Sequence, residues 1–172
     1  IFSIINLLYP IKSNNFLQDN NQKFLKYVSK HLAVYYNFNK SIYDLFSSYK
    51  KKIIVVNFSS VYAIKVPNFN IYRGTKRKSP IEYSIAKAGL LIMSKYFDNW
   101  SKFKKTNINY ICVSPAGIEG YVSEKFKRNY LRLYKAKMIS ASSLGNVLAK
   151  IFLFPKKYRG KNVLITKGAQ IN

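Results

Sequence analysis

The chain alternates between two kinds of apolar pattern. Short continuous runs predict buried strands, and longer stretches with apolar residues every three or four positions predict helices. Phe2 to Asn6 is the first short run and reads as a buried strand, stopped by Pro10. Ile11 to Asn21 is polar and Asn-rich and reads as a loop. From Gln22 to Tyr49 a helical spacing runs through Phe24, Tyr27, Val28, Leu32, Tyr35, Ile42, Leu45 and Phe46. "KKIIVVNF" is then a β-branched run apolar on both faces, the pattern of a central parallel strand.

Ser59 to Pro80 is a long connection holding Pro67, Gly74 and Pro80, and connections of that length are uncommon unless they serve a function. Pro80 opens a helix predicted over Ile81 to Asn99, whose apolar positions are broad enough for two packing faces. "INYICVS" is the next buried strand, ending at Pro115. Ala116 to Ser140 is polar and carries a short amphipathic helix. "SASSLGNVLAKIFLF" is a helix with a serine N-cap, and "KNVLIT" is a last strand, ended by Gly168. The order β-α-β-α-β-α-β predicts an α/β fold with a parallel sheet and helices on both faces. Ligands of such sheets sit at the carboxyl ends of the strands, where Ser59, Ser60 and Pro115 fall.

Composition and the opening of the chain add four points. At 172 residues the chain fits one domain, residues 1–172, with a core of useful size. A single cysteine, Cys112, allows no internal disulfide, which suits a reducing, cytoplasmic compartment and a plain core role for the thiol. The opening "IFSIINLLYP" lacks a basic leader and a cleavage site, and it is too short to span a bilayer, so neither a signal peptide nor a membrane segment is expected. The net charge of +24 stands against six acids, none after Glu124. Such charge is the footprint of a nucleic-acid or anionic-lipid partner. The basic residues are dispersed, however, and biased composition is the favoured account of them.

Tyr-x-x-x-Lys occurs at Tyr36/Lys40, Tyr72/Lys76, Tyr83/Lys87 and Tyr121/Lys125, so the spacing alone selects nothing. Context selects Tyr83/Lys87. "VVNFSSVYA", then "EYSIAKAGL", then "INYICVSPAGI", on strand, helix and strand, resemble the short-chain dehydrogenase/reductase family. The insert "KVPNFNIYRGTKRKSP" before Tyr83 is similar to a subgroup associated with bacterial surface-sugar and flagellin modification. The resemblance implies a Rossmann-like sheet, a nicotinamide cofactor (NAD or NADP) and a small alcohol or carbonyl substrate, sugar-like for that subgroup. It also implies a homo-oligomer built through the two long helices.

The residues support that chemistry on their own terms. Tyr83 and Lys87 share a helix face. A phenol titrates near 10, a nearby cation favours phenolate, and a tuned phenol exchanges a proton with an alcohol or carbonyl. Ser60, the second of its pair, matches the family position that holds the same oxygen. Lys87 is expected to touch the cofactor ribose. His31 stands where the family commonly has an Asn in its proton relay, and a histidine can donate and accept there too. Asn6 matches the second Asn of the family's "Asn-Asn-Ala-Gly" strand end. Pro115, Gly117 and Ile118 match the loop at the nicotinamide. Each has a plainer alternative: strand-end turn chemistry for the serines and Pro115–Ile118, a solvated helix start for Tyr83 and Lys87, a packed polar residue for His31.

Departures from the family pattern accompany the match. No glycine-rich turn occurs in the 172 residues, so the chain is expected to comprise strands four to seven of the family fold, a partial domain without the adenosine half of the cofactor site. Leu7 and Leu8 replace small residues, Ala116 replaces a Gly, and "TKGA" stands where "Asp-Gly-Gly" often closes the fold. Besides an oxidoreductase, the sequence therefore admits a non-catalytic remnant that dimerises through Tyr96, Phe97 and Trp100. A basic nucleic-acid binder with tyrosines stacking on bases is disfavoured, because no nucleic-acid module signature is present.

Overall fold

A computed structural model describes residues 2–9, 15–18, 20–120 and 122–166. The expectations attached to Pro10, to the loop at 11–14 and 19, to Tyr121, and to Gly168 with most of "TKGA" lie outside them. Four strands form one sheet in the order β1 (Phe2–Asn6), β2 (Ile53–Phe58), β3 (Ile108–Pro115), β4 (Asn162–Ile165), and every pairing is parallel. The helices are α1 (Asn21–Phe46), α2 (Ile81–Phe103), α3 (Glu124–Tyr134), α4 (Ala141–Leu153) and the single turn α5 (Pro155–Tyr158). The Rossmann-like α/β fold read from the periodicity is present.

Strand alternation sorts the core into two layers. Ile53, Val55, Ile108 and Tyr110 face α1 and α2, where Ile42, Phe38 and Phe97 meet them. Ile54, Val56, Phe58, Ile111 and Val113 face the other way, onto Ile151, Leu144 and Leu148 of α4. The two-sided burial of β2 and β3 is why their sequences are continuous apolar runs. α1 starts because Asn20 caps it, its side chain accepting from the Lys23 amide at 3.0 Å. Ser140 caps α4 in the same way, accepting from the Ser143 amide at 3.3 Å.

Three expectations are corrected. The first strand is not buried. It lies at the sheet edge, Phe2 and Ile5 are exposed, and only Asn6 is fully enclosed, because a strand paired on one side alone leaves part of its apolar surface in water. The connection from Ser59 to Pro80 is not featureless. It contains 3₁₀ turns at Val61–Ala63 and Phe69–Tyr72, the first capped by Ser60 and the second by Asn68. The helix after Ser140 ends at Leu153, because Pro155 cannot continue it and instead opens α5.

Asp98 anchors the amino edge of the sheet. It is fully buried on α2 and accepts from the Tyr110 amide and from Arg159 Nε, both at 3.1 Å, while Lys102 reaches its other oxygen at 2.6 Å. Gly160 closes this corner with φ +68, and an added Cβ would meet Asp98 Oδ2 at 2.7 Å. Replacing one partner of such a buried group leaves the others uncompensated. Asp98→Ala is expected to cost about 3 kcal/mol of unfolding free energy, measured by urea denaturation.

Candidate active site at the carboxyl edge of the sheet

Two reciprocal hydrogen bonds bring the start of α2 to the end of β2. Ser59 Oγ donates to the Lys87 carbonyl at 2.7 Å, and Lys87 Nζ donates to the Phe58 carbonyl at 2.8 Å. Ser59 is thereby occupied by backbone. Ser60 is arranged differently: its Oγ accepts from the Tyr62 amide at 3.2 Å, which leaves its own proton to give. The Ser60 hydroxyl also lies near enough to the Tyr83 phenol to favour its ionised form. The structure thus brings Ser60 and Tyr83 together, and it places Lys87 one helical turn along with its ammonium turned to the Phe58 carbonyl.

The two other described Tyr-x-x-x-Lys pairs, Tyr36/Lys40 and Tyr72/Lys76, have no such setting. Tyr36 is exposed, and Lys40 pairs with Asp44 at 2.7 Å. Tyr72 is buried in a separate cluster with Phe126 and Tyr130, while Lys76 is exposed.

Burial dominates the electrostatics. The Tyr83 phenol is pushed up to about 12 by desolvation, against which the Ser60 hydroxyl pulls down. The expectation of a lowered phenol pKa is not met, because Lys87 spends its charge on a carbonyl and is itself starved of water. Its ammonium is depressed to about 8 by burial. Cys112 lies beneath, buried as expected, its thiol raised to about 11 by desolvation.

An aromatic box closes over Lys87. The Tyr9 and Tyr35 ring centroids lie 5.7 and 5.3 Å from Nζ. Tyr9 also meets Tyr83 edge-on at 5.6 Å and shares a hydrogen bond with the Tyr27 hydroxyl. His31 is fully buried in the same box, stacked on Tyr27 at 4.3 Å, with Nδ1 3.4 Å from the Tyr35 hydroxyl. Tyr9 links His31 and Tyr83, its ring 4.8 Å from the His31 ring and 5.6 Å from that of Tyr83. Tyr9, Tyr27 and Tyr35 escaped the sequence reading. The Tyr27–His31–Tyr35 spacing of four was the available signal, since it stacks three polar-tipped rings on one face of α1.

Asn6 sits under this box. Its Nδ2 donates to Asn57 Oδ1 at 2.8 Å, and its Oδ1 accepts from the Leu8 amide at 3.1 Å. Asn57 in turn donates to Asn39 Oδ1 at 2.8 Å and to Ser94 Oγ at 3.3 Å. A ladder of buried amides therefore ties β1, β2, α1 and α2 together directly below the site. Asn57 and Asn39 carried no sequence signal beyond being polar residues at core positions.

Pro115 ends β3 and is buried. Gly117 accepts from the Ile139 amide at 2.7 Å, and its own amide donates to the Tyr130 hydroxyl at 3.2 Å. Ile118 bridges to Ile139. This loop shares the carboxyl edge with Ser60 but is stitched to α3 and to the segment before α4. Glu82 was also missed. It is fully buried, neither carboxylate oxygen has a hydrogen-bond partner among the described residues, and its charge weighs on Tyr9 and Tyr27. Beside the site, Tyr62, Phe16, Ile64, Phe69, Ile81 and Ile85 line a largely apolar cavity of about 790 Å³. Among the described residues no cluster of His, Cys, Asp and Glu could hold a metal ion.

Solved structures with a similar arrangement decide the fold. A short-chain dehydrogenase from Leptospira borgpetersenii serovar Hardjo-bovis, with bound NAD+, superposes with a TM-score of 0.77 at 24% identity, over 97% of this chain and 63% of that one. The fold is that of the short-chain dehydrogenases. A short-chain dehydrogenase from Bacillus anthracis matches with a TM-score of 0.73 at 18% identity, over 100% of this chain and 66% of that one. A 3-oxoacyl-[acyl-carrier protein] reductase from Brucella melitensis, with bound NAD, matches with a TM-score of 0.69 at 15% identity, over 99% and 62%. The chain therefore spans a little under two thirds of the length of these short-chain dehydrogenases. No family profile and no curated protein sequence matches it.

The depressed Lys87 pKa has a stability consequence. An exposed lysine in the unfolded chain keeps its proton to about 10.5, whereas the folded chain releases it near 8. Between these values the unfolded state binds more protons, so stability rises with pH. Relative to Lys87→Met, the protein is expected to gain up to about 3 kcal/mol between pH 8 and 10.5, read by urea denaturation of both at each pH.

Proposed function

We propose that this chain carries the reaction centre of a nicotinamide-dependent oxidoreductase acting on an alcohol or carbonyl. The observation that carries the reading is the convergence of the Ser60 hydroxyl on the Tyr83 phenol, one turn from the buried Lys87, at the carboxyl edge of a parallel sheet. The bound NAD of the Leptospira and Brucella proteins supports the cofactor class.

The residues fit the nicotinamide half of such a cofactor. Lys87 uses one of three protons on the Phe58 carbonyl, so two donors remain for ribose hydroxyls. Asn6 holds the β1–α1 turn in place through Leu8, and Pro115, Gly117 and Ile118 form the loop at the far side. NAD or NADP, when bound, supplies or accepts the hydride. The chain itself handles the proton. Ser60 holds the substrate oxygen. Tyr83, protonated over the whole neutral range because burial raises its pKa, gives that oxygen a proton as the carbonyl is reduced. Lys87 orients the ribose. His31, Tyr35 and Tyr9 line the route by which the proton is replaced.

The resemblance of the 65–80 insert supports a sugar-like substrate. The apolar cavity beside Tyr62 supports an apolar substituent on it. Exposed Ile92, Tyr96, Trp100 and Phe103 on α2, with Leu25 and Leu45 on α1, support a homo-oligomer through the two long helices; Phe97 belongs to the core instead. The buried free thiol of Cys112 is in keeping with a reducing cytoplasmic setting, and no described helix is long and apolar enough to cross a membrane.

Two substitutions test the reading. Tyr83→Phe is expected to lower carbonyl reduction, followed by NADH or NADPH absorbance, about a thousandfold while leaving cofactor affinity unchanged. Lys87→Met is expected to weaken NADH or NADPH binding about tenfold or more, read by fluorescence titration. Full turnover in Tyr83→Phe would remove the assigned proton donor.

A further inference from the structure

The carboxyl edge of the sheet holds the site described above; the amino edge holds a different kind of surface. Because the strands are parallel, the segments entering β2, β3 and β4 all lie at that edge. They carry three lysines at 50–52, two at 104–105 and four basic residues at 156–161, with no acid among them. Lys50, Lys52, Lys156 and Arg159, with Thr106, Asn107 and Asn109, enclose a cavity of about 310 Å³.

We propose that this cavity is a binding site for a compact, multiply charged oxyanion of the phosphate or diphosphate class. Four features carry it. The nearest acid, Asp98, is already taken by the Tyr110 amide, Arg159 and Lys102. Lys50, Lys52 and Lys156 have no ion-pair partner among the described residues, so their mutual repulsion across the cavity stands uncompensated until an anion enters. Asn109 is only 2% exposed and lines the cavity, adding a polar side chain to its basic wall.

The lining is also prearranged. Asn107 Nδ2 donates to the carbonyls of Tyr49 and Lys50, at 3.2 and 3.0 Å, and so fixes the backbone from which Lys50 projects. Arg159 is held by Asp98 and by the Ile108 carbonyl. The volume is at the small end for ligand cavities and suits a phosphate or diphosphate group. The basic groups surround a concavity instead of tracking a groove, which favours a compact anion over an extended nucleic-acid strand. This site is independent of the proton chemistry at the opposite edge.

The test is calorimetric titration of the protein with inorganic pyrophosphate at a constant ionic strength of about 150 mM, where loose surface attraction is screened. Saturable one-to-one binding is expected. It should weaken about tenfold or more in Lys52→Gln/Lys156→Gln, with thermal unfolding and circular dichroism unchanged. The control Lys26→Gln/Lys30→Gln removes the same charge from exposed positions on α1 and should leave affinity as it was. The proposal is overturned by an absence of saturable heat or by equal affinity in the two double variants. It is equally overturned if a single-stranded oligonucleotide binds and pyrophosphate does not displace it.

Discussion

The site depends on the clamp between the end of β2 and the first turns of α2. Lys87 donates a hydrogen bond to the Phe58 carbonyl, and Ser59 donates one to the Lys87 carbonyl, so strand and helix each satisfy a buried group of the other. Burying an ammonium is costly unless it is hydrogen-bonded. The clamp supplies that bond, and in doing so it fixes the rotation of α2. With Lys87 turned to the strand, Tyr83, one turn earlier on the same face, is brought to Ser60. Paired serines at a strand end thus divide the work: one fastens the helix, the other remains available at the edge.

Polar groups fill much of the space beneath. The Asn6–Asn57–Asn39 ladder and the Tyr9–Tyr27–His31–Tyr35 box place amides, phenols and an imidazole where an ordinary core would be aliphatic. A satisfied buried network specifies one arrangement more sharply than apolar packing does. Here it sets the relative positions of β1, β2, α1 and α2, the elements that surround Lys87. Glu82 is the exception, a buried carboxylate with no hydrogen-bond partner among the described residues, beside the same rings.

Charge is distributed between the two edges of the sheet according to topology. The carboxyl edge carries phenols, hydroxyls and one buried ammonium. The amino edge gathers lysines and Arg159 around a single buried acid, Asp98. A chain of net charge +24 can tolerate such a concentration only where the groups reach solvent or an anion. That is why a composition that looked merely biased along the sequence becomes a defined basic pole once parallel strands bring distant connections to one edge.

The parallel α/β architecture was legible in the sequence because it rests on local physics: β-branched runs buried on two faces, helical spacing between them, and caps such as Ser140. So was the choice of Ser60, Tyr83 and Lys87 as the residues to watch, since their order on strand and helix is a linear pattern. The exposure of β1, the upward shift of Tyr83, the turn of Lys87 toward Phe58, the closure of Tyr9 over the site and the pooling of lysines at the amino edge were decided by the tertiary structure alone. Burial, desolvation and hydrogen-bond partnership belong to residues distant in the chain that meet only when it folds, whereas periodicity and capping belong to neighbours already joined in the sequence.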